Sequence, residues 1–302
     1  MRIGILQCDG SIPNLACMKI AGYHLSKGDQ VETYIGGLFD ARYDFVYASK
    51  IFSFTPNPEI PTEKSLLGGT GIDFYNNLPE EIEKHEPSYL LYPDCNYHLG
   101  FSMKGCRFAC EFCCVPKKEG KPRLNNTIDQ VLINPNAKKN LMLLDNDFFG
   151  GKDWKDNLLR IIEIDLKVCF VQGLNIRILT EEQAELLSKV KYRNSKFNDK
   201  YLTFAWDKYK DGERVIRGIQ MAESKGIPAK NMQFFVLIGF DSTHEQNLER
   251  VMTLKKLGAM PFVMPYNKFD PYQRSFARWV NHRAVFKSTS WENYKRKVDL
   301  KI

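Results

Sequence analysis

No stretch of about 18 apolar residues occurs in this 302-residue chain, so the sequence offers no membrane-spanning helix. Met1 to Cys8 form a short apolar run that soon meets Asp9 and Gly10, and a secretory signal needs a longer apolar core. The dinucleotide fingerprint G-x-G-x-x-G is missing. The one glycine cluster, Gly68-Gly69-Thr70-Gly71, is not followed by Lys-Ser or Lys-Thr, which leaves a phosphate cradle unsupported. Together with the Pro-rich stretch from Ser53 to Pro61 it reads as a flexible joint. What remains, 43% hydrophobic and 26% charged, is the composition of a globular protein with room for one large domain or two ordinary ones. Eight cysteines without a secretion signal point to a reducing cytoplasm, where thiols serve metals or chemistry.

Three of those cysteines organise the chain. Cys106, Cys110 and Cys113 fall at C-x3-C-x2-C spacing on one short loop, with Phe112 just before the third. Three thiolates brought together this tightly can hold three corners of a [4Fe–4S] cluster. Such clusters usually take four cysteines, so a set of three leaves one iron open to a further ligand. A zinc site is the rival reading, with Cys114, Cys95 or His98 as fourth ligand. Structural zinc is usually held by two separated pairs, which three cysteines on one loop fit poorly. Cys8, Cys17, Cys95 and Cys169 are scattered and carry no motif for a second cluster.

The loop resembles the signature of the radical S-adenosylmethionine (SAM) superfamily. The resemblance implies that the open iron chelates the amino and carboxylate groups of SAM. Reductive cleavage then yields methionine and a 5′-deoxyadenosyl radical that abstracts hydrogen from a substrate. It also implies an electron donor such as flavodoxin or ferredoxin, and places the Phe112 backbone beside the adenine.

Residues 1–88 read as a small Rossmann-like α/β domain. Arg2 to Leu6, Val31 to Ile35 and Asp44 to Ala48 are strand candidates, and a helix opens at Pro13-Asn14. The order resembles the N-terminal domain of cobalamin-binding radical SAM proteins. The D-x-H-x-x-G motif of those that bind cobalamin through a histidine is missing after Asp9, and His24 reads as a surface or packing residue. The resemblance therefore implies the domain's shape without the cobalamin.

Residues 89–271 alternate strand and helix. Strands are predicted at Tyr97 to Met103, Asn140 to Asp145, Lys167 to Val171, Tyr201 to Ala205, Met232 to Ile238 and Pro261 to Met264. Six such units suit a partial (β/α)6 barrel, the architecture that the resemblance also implies. Barrel chemistry lies at the carboxyl ends of the strands. There the sequence places Asp145-Asn146-Asp147, then Gln172-Gly173-Leu174-Asn175-Ile176-Arg177, Trp206-Asp207, Ile238-Gly239-Phe240-Asp241 and Pro265-Tyr266-Asn267. By the resemblance, Asp145 or Asp147 would take SAM's amino group where the family often has Gly-Gly-Glu. Arg177 would pair with the SAM carboxylate, with Gln172 beside it in the same stretch. Asn175 would reach the ribose, and Ile238-Gly239 would lie near the adenine.

Charge is uneven. From Tyr272 onward Arg274, Arg278, Arg283, Lys287, Lys295, Arg296, Lys297 and Lys301 face only Glu292 and Asp299, nearly all of the chain's net charge of +7. A helix is predicted over 276–287, and its mix of cations with Phe276 and Trp279 suits nucleic acid, although such aromatics more often pack inward. Lys117, Lys118, Lys121 and Arg123 after the cysteine loop can attract an anionic substrate or the electron donor, or simply face water. Two functional classes follow. One is a radical SAM enzyme acting on a nucleic acid or nucleotide, with peptides and small metabolites as other substrate classes. The other is a non-enzymatic zinc- or cluster-bearing binding module.

Overall fold

Strand β1 (Arg2–Gln7) is the centre of the first of two compact units in the computed structural model, which describes residues 1–294. This unit comprises Met1–Tyr97 and Asn134–Lys138. Its other strands are β2 (Gln30–Thr33), β3 (Phe45–Ser49) and β4 (Ser65–Gly68), all parallel in the order β2-β1-β3-β4. Ile3 and Ile5 pack against Cys17, Ile20 and Ala21 of the helix Leu15–Ser26. Asn14 caps that helix by accepting from the N–H groups of Ala16 (3.0 Å) and Cys17 (3.3 Å). His24 is a packing residue, buried between the Asp29 carboxylate (2.7 Å) and the Tyr47 hydroxyl (3.2 Å).

The expected joint before residue 71 contains β4, whose Leu66-Leu67 core is too short to show alternation. Its glycines are held in place rather than free. Gly69 has φ +97°, a Cβ there would lie 2.3 Å from the Lys50 carbonyl, and the Gly71 N–H donates to that carbonyl at 2.9 Å. Open parallel sheets take ligands where the strand order reverses, here between β1 and β3. At that point Asp9 fills the space itself, accepting from Ile51 N (2.8 Å), Phe52 N (2.9 Å) and Thr55 Oγ1 (2.7 Å).

The second unit comprises His98–Ile133 and the chain from Lys139. Its short leading strands are β5 (His98–Gly100), β6 (Met103–Lys104) and β7 (Arg123–Leu124). They are followed by β8 (Asn140–Leu143), β9 (Lys167–Phe170), β10 (Lys191–Tyr192), β11 (Leu202–Ala205), β12 (Met232–Ile238) and β13 (Met260–Pro265). β10-β9-β8-β5 form one parallel sheet and β11-β12-β13 another. A parallel bridge from Leu174 to Phe204, with Leu174 N donating to Thr203 O at 2.8 Å, joins β9 to β11. Within the first sheet β5, β8 and β9 run parallel in chain order, with β10 on the outer edge of β9, and within the second β11, β12 and β13 do the same; the parallel bridge beyond β9 turns their carboxyl ends the same way. The architecture is α/β with parallel sheets. Helices at Trp154–Glu163, Glu181–Lys189, Gly212–Ser224, His244–Lys256 and Pro271–Asn281 follow successive strands. Three helices begin in the same way: Thr127, Thr180 and Thr243 each form a reciprocal capping box with the glutamine three residues on.

Two expected elements differ. The strand over 97–103 breaks after Gly100, because the N–H groups of Ser102 and Met103 go to the Asp145 carboxylate instead of a neighbouring strand. Met103–Lys104 then pairs antiparallel with β7. The helix over 276–287 is two helices, Pro271–Asn281 and Arg283–Ser288, parted at His282 (ψ 89°). Phe276, Trp279 and Phe286 lie in the core, so the aromatics offered for base stacking are interior. Lys295, Arg296, Lys297, Asp299 and Lys301 lie outside the described residues. Among those residues no helix is long and apolar enough to cross a membrane.

Candidate functional site

The cysteine loop rises from the β6–β7 hairpin at the carboxyl end of β5. Gly105 opens it at φ +87°, and a Cβ there would lie 2.3 Å from the Lys121 carbonyl, so no larger residue fits. The Gly105 N–H donates to Glu119 (2.8 Å) and the Cys106 N–H to the Gly120 carbonyl (3.1 Å). These bonds tie the start of the loop to the helix Val115–Glu119 that follows it. A turn in which Cys113 N donates to Cys110 O (3.0 Å) sets the last two cysteines.

All three thiols are half-buried. Burial pushes each of them up, that of Cys106 to about 11, with Asp147, Cys113 and Cys110 adding to the rise. As free thiols they are therefore protonated at neutral pH, and iron binding is what would ionise them. Three neighbouring thiols, partly shielded from water and held by main-chain bonds, fit a cluster as its ligands. Cys114 is exposed. Cys95 is buried with its thiol directed at the Tyr97 carbonyl (3.4 Å), and His98 is buried in β5. Among the described residues no three His, Cys, Asp or Glu side chains converge as a single metal ion requires.

The strand ends bring several expected residues to this rim, most of them already engaged. Asp145 is buried and accepts from Ser102 N (2.8 Å), Met103 N (3.0 Å) and the Ser102 hydroxyl. Burial pushes its carboxyl to about 7 in spite of these donors. Asp147 grips Arg107 next to Cys106: Oδ2 accepts from Nε at 2.9 Å and from the main-chain N–H at 3.1 Å, and Oδ1 accepts from Nη2 at 3.0 Å. Both aspartates anchor the loop. Arg177 donates to Asp211 (2.6 Å) and Asn175 (3.1 Å), and its guanidinium lies 5.4 Å from the Phe108 ring centre. Asn175 also accepts from the Arg177 N–H at 3.2 Å. Gln172 is exposed. Ile238 is fully buried, and Gly239 (φ +81°) gives room to the Gln273 amide, within 2.4 Å of where a Cβ would be. Phe112 meets Phe240 edge-on at 5.5 Å, and Phe240 meets Tyr266 at 5.1 Å.

Sequence reasoning left four rim residues without a role: Arg107, Asp207, Asp211 and Arg250. Arg250 is fully buried on the helix His244–Lys256. It donates to the carbonyls of Trp206 (2.9 Å), Asp207 (2.8 Å) and Leu237 (2.8 Å), to Ser242 Oγ (3.0 Å) and to Asn247 (2.7 Å). It thereby fixes the ends of β11 and β12 against each other. Burial brings the Asp207 carboxyl up to about 6, with Arg177 and Arg250 opposing the rise. The only signal for Asp207 in the sequence is an acid directly after an apolar strand. Comparison with family models, with curated proteins and with solved structures finds no match to this chain.

Proposed function

We propose that this chain is a radical SAM enzyme. The observation that carries the reading is the C-x3-C-x2-C loop, three half-buried thiols held beyond the carboxyl end of β5 in an α/β unit of parallel sheets, where a partial (β/α)6 barrel would keep its chemistry. Cys106, Cys110 and Cys113 would hold the [4Fe–4S] cluster and leave its fourth iron to SAM. That pair would supply the electron transfer that splits SAM to methionine and a 5′-deoxyadenosyl radical. The protein's own residues bind, orient and shield. Asp147 and Arg107 set the loop, Asp145 sets the chain entering it, and Phe112 with Phe240 and Tyr266 walls the rim with rings. Arg177, with Asn175, presents a guanidinium suited to a carboxylate. A reducing cytoplasm and an electron donor of the flavodoxin or ferredoxin kind belong to the same reading. With the C-terminal aromatics in the core, a nucleic-acid or nucleotide substrate rests on cations alone, among them Arg274, Arg278, Arg283 and Lys287.

The test is anaerobic reconstitution with iron and sulfide, then dithionite and SAM, with 5′-deoxyadenosine as the readout and Cys110→Ala as control. Product that requires the intact cysteines supports the reading. A colourless protein that retains zinc and never cleaves SAM sinks it in favour of a binding module.

A further inference from the structure

The β6–β7 hairpin that carries the cysteine loop sets Lys104 directly opposite Arg123 in an antiparallel pair of two-residue strands. Like charges in that position weaken a ribbon, so folding alone does not explain the pairing. Main-chain bonds hold two more cations against the same loop. Lys117 N donates to the carbonyl of Cys114, the neighbour of Cys113, at 3.1 Å. The Gly120 carbonyl, next to Lys121, accepts from Cys106 N at 3.1 Å. Lys117, Lys121 and Arg123 are exposed and form no ion pair among the described residues. Of the two acids in this stretch, Glu119 is turned to the scaffold, accepting from Gly105 N (2.8 Å) and Asn146 Nδ2 (3.1 Å), and Glu111 alone faces water. Cations gathered this closely without matching acids raise a positive potential that draws an anionic partner.

We propose that this face, formed by Lys104, Lys117, Lys121 and Arg123, is where an acidic electron-carrier protein docks. The inference rests on the radical SAM reading, which requires one electron for each SAM cleaved, and it assigns the point of entry. A carrier seated here meets the loop that would hold the cluster; the carrier is oxidised by one electron and the cluster is reduced by that electron. Electron-transfer encounters are small and transient, so charge complementarity can guide them without a large apolar contact. Single-stranded nucleic acid would also want rings on which to stack its bases. The exposed positions of the helix Val115–Glu119 and of β7 carry none, which favours an acidic protein.

The experiment follows association of the full, anaerobically reconstituted chain with oxidised flavodoxin, an acidic electron carrier, by interferometry at about 0.05 and 0.2 M salt. The proteins are wild type, Lys117→Glu/Lys121→Glu, and Lys230→Glu/Lys256→Glu. The last makes the same charge change at exposed positions leading into the amino ends of β12 and β13. SAM cleavage is then driven by reduced flavodoxin or by dithionite, a small reductant that needs no docking face. Lys117→Glu/Lys121→Glu is expected to slow association roughly tenfold at low salt and to lose most of that difference at high salt. Flavodoxin-driven cleavage should fall by a similar factor while dithionite-driven cleavage holds. The control variant should stay within about twofold of wild type. Equal slowing in the two variants, or no binding of flavodoxin by wild type, overturns the inference and leaves the enzyme reading standing. Binding of an oligonucleotide of about 20 nucleotides that depends on Lys117 and Lys121, with flavodoxin indifferent to both, assigns the face to nucleic acid and overturns it too. A wild-type protein that carries the cluster and yields no 5′-deoxyadenosine with either reductant overturns the reading itself. Circular dichroism and cluster absorbance confirm that each variant is folded and loaded.

Discussion

Asp147 and Arg107 give a measurement that separates an anchoring role from a ligand-binding one. The Asp147 side chain is 4% exposed and that of Arg107 34%, and three hydrogen bonds of 2.9–3.1 Å join the two residues. Removing one partner of a fully buried pair costs roughly 3–5 kcal/mol. The partial exposure of Arg107 lowers that, and the orphaned Arg107 N–H adds back about 1 kcal/mol, for a net of about 2–3 kcal/mol with Asp147→Ala. The loss falls on the loop, so the readout is native-state amide exchange over residues 103–113 in the iron-free protein. A loss of about 2 kcal/mol speeds exchange there by roughly 30-fold. Arg107→Ala strips the carboxylate of its charge partner and should speed it by nearly as much. The double variant should exceed either single variant only slightly, a coupling of about 2 kcal/mol. Coupling under about 0.5 kcal/mol, with unchanged exchange in both single variants, would refute the anchor. Asp147 would then be free to serve a ligand, as the sequence reading had it.

Three further outcomes are expected. Gly105→Ala brings a Cβ to 2.3 Å from the Lys121 carbonyl at φ +87°, whereas Gly120→Ala (φ +75°) meets nothing within 4 Å. Both bear the left-handed penalty of about 1–2 kcal/mol, so iron retention after reconstitution should fall much further for Gly105→Ala, and equal retention would contradict the clash. Arg250→Met leaves buried carbonyls of Trp206 and Leu237 without their donor and should cost about 3 kcal/mol, read as a drop of about 6–12 °C in the melting temperature of its unit. Asp207→Asn should stabilise the protein near neutral pH. Burial holds the folded carboxyl at about 6, above the ordinary 3.8, so the fold binds its proton more tightly than the unfolded chain does. Wild-type stability therefore falls as pH rises through that window, by on the order of 3 kcal/mol, and Asn removes the loss. The melting-temperature gap should close below pH 3.8, and a gap independent of pH would assign it to something other than this carboxyl.

Much of the fold was legible because its causes are local. The strands from Met232 and Lys167 begin where hydrophobicity places them. The helix Gly212–Ser224 ends before Lys225-Gly226, where Gly226 takes φ +92°. The thrice-repeated Thr-x-x-Gln, at Thr127, Thr180 and Thr243, marks helix starts that went unread, although a capping box is a sequence-level signal. Less legible was whatever depended on distant partners. Leu66-Leu67 became a strand only because β3 lies beside it. Phe276 and Trp279 alternate with arginines as a stacking surface would, yet Phe286 and Trp291 pack against them and put them inside.

The rim shows the same limit in its chemistry. Asp145, Asp147 and Asp207 are alike in sequence, each an acid just beyond an apolar strand. What distinguishes them lies 43 residues away at Ser102 for Asp145 and 40 residues away at Arg107 for Asp147. For Asp207 it is a pairing made by others: Arg177 is already bound to Asp211, 34 residues on. Local pattern can place acids at a strand end but cannot say which the scaffold will consume. A parallel sheet makes the consumption unavoidable, because the loop after each strand begins with N–H groups that have left the ladder and need acceptors. Asp145 answers that need for Ser102 and Met103, and Asp147 for Arg107. Asp207 answers no such need with its side chain: Arg250 holds its main-chain carbonyl, and the half-buried carboxyl has no ion pair among the described residues.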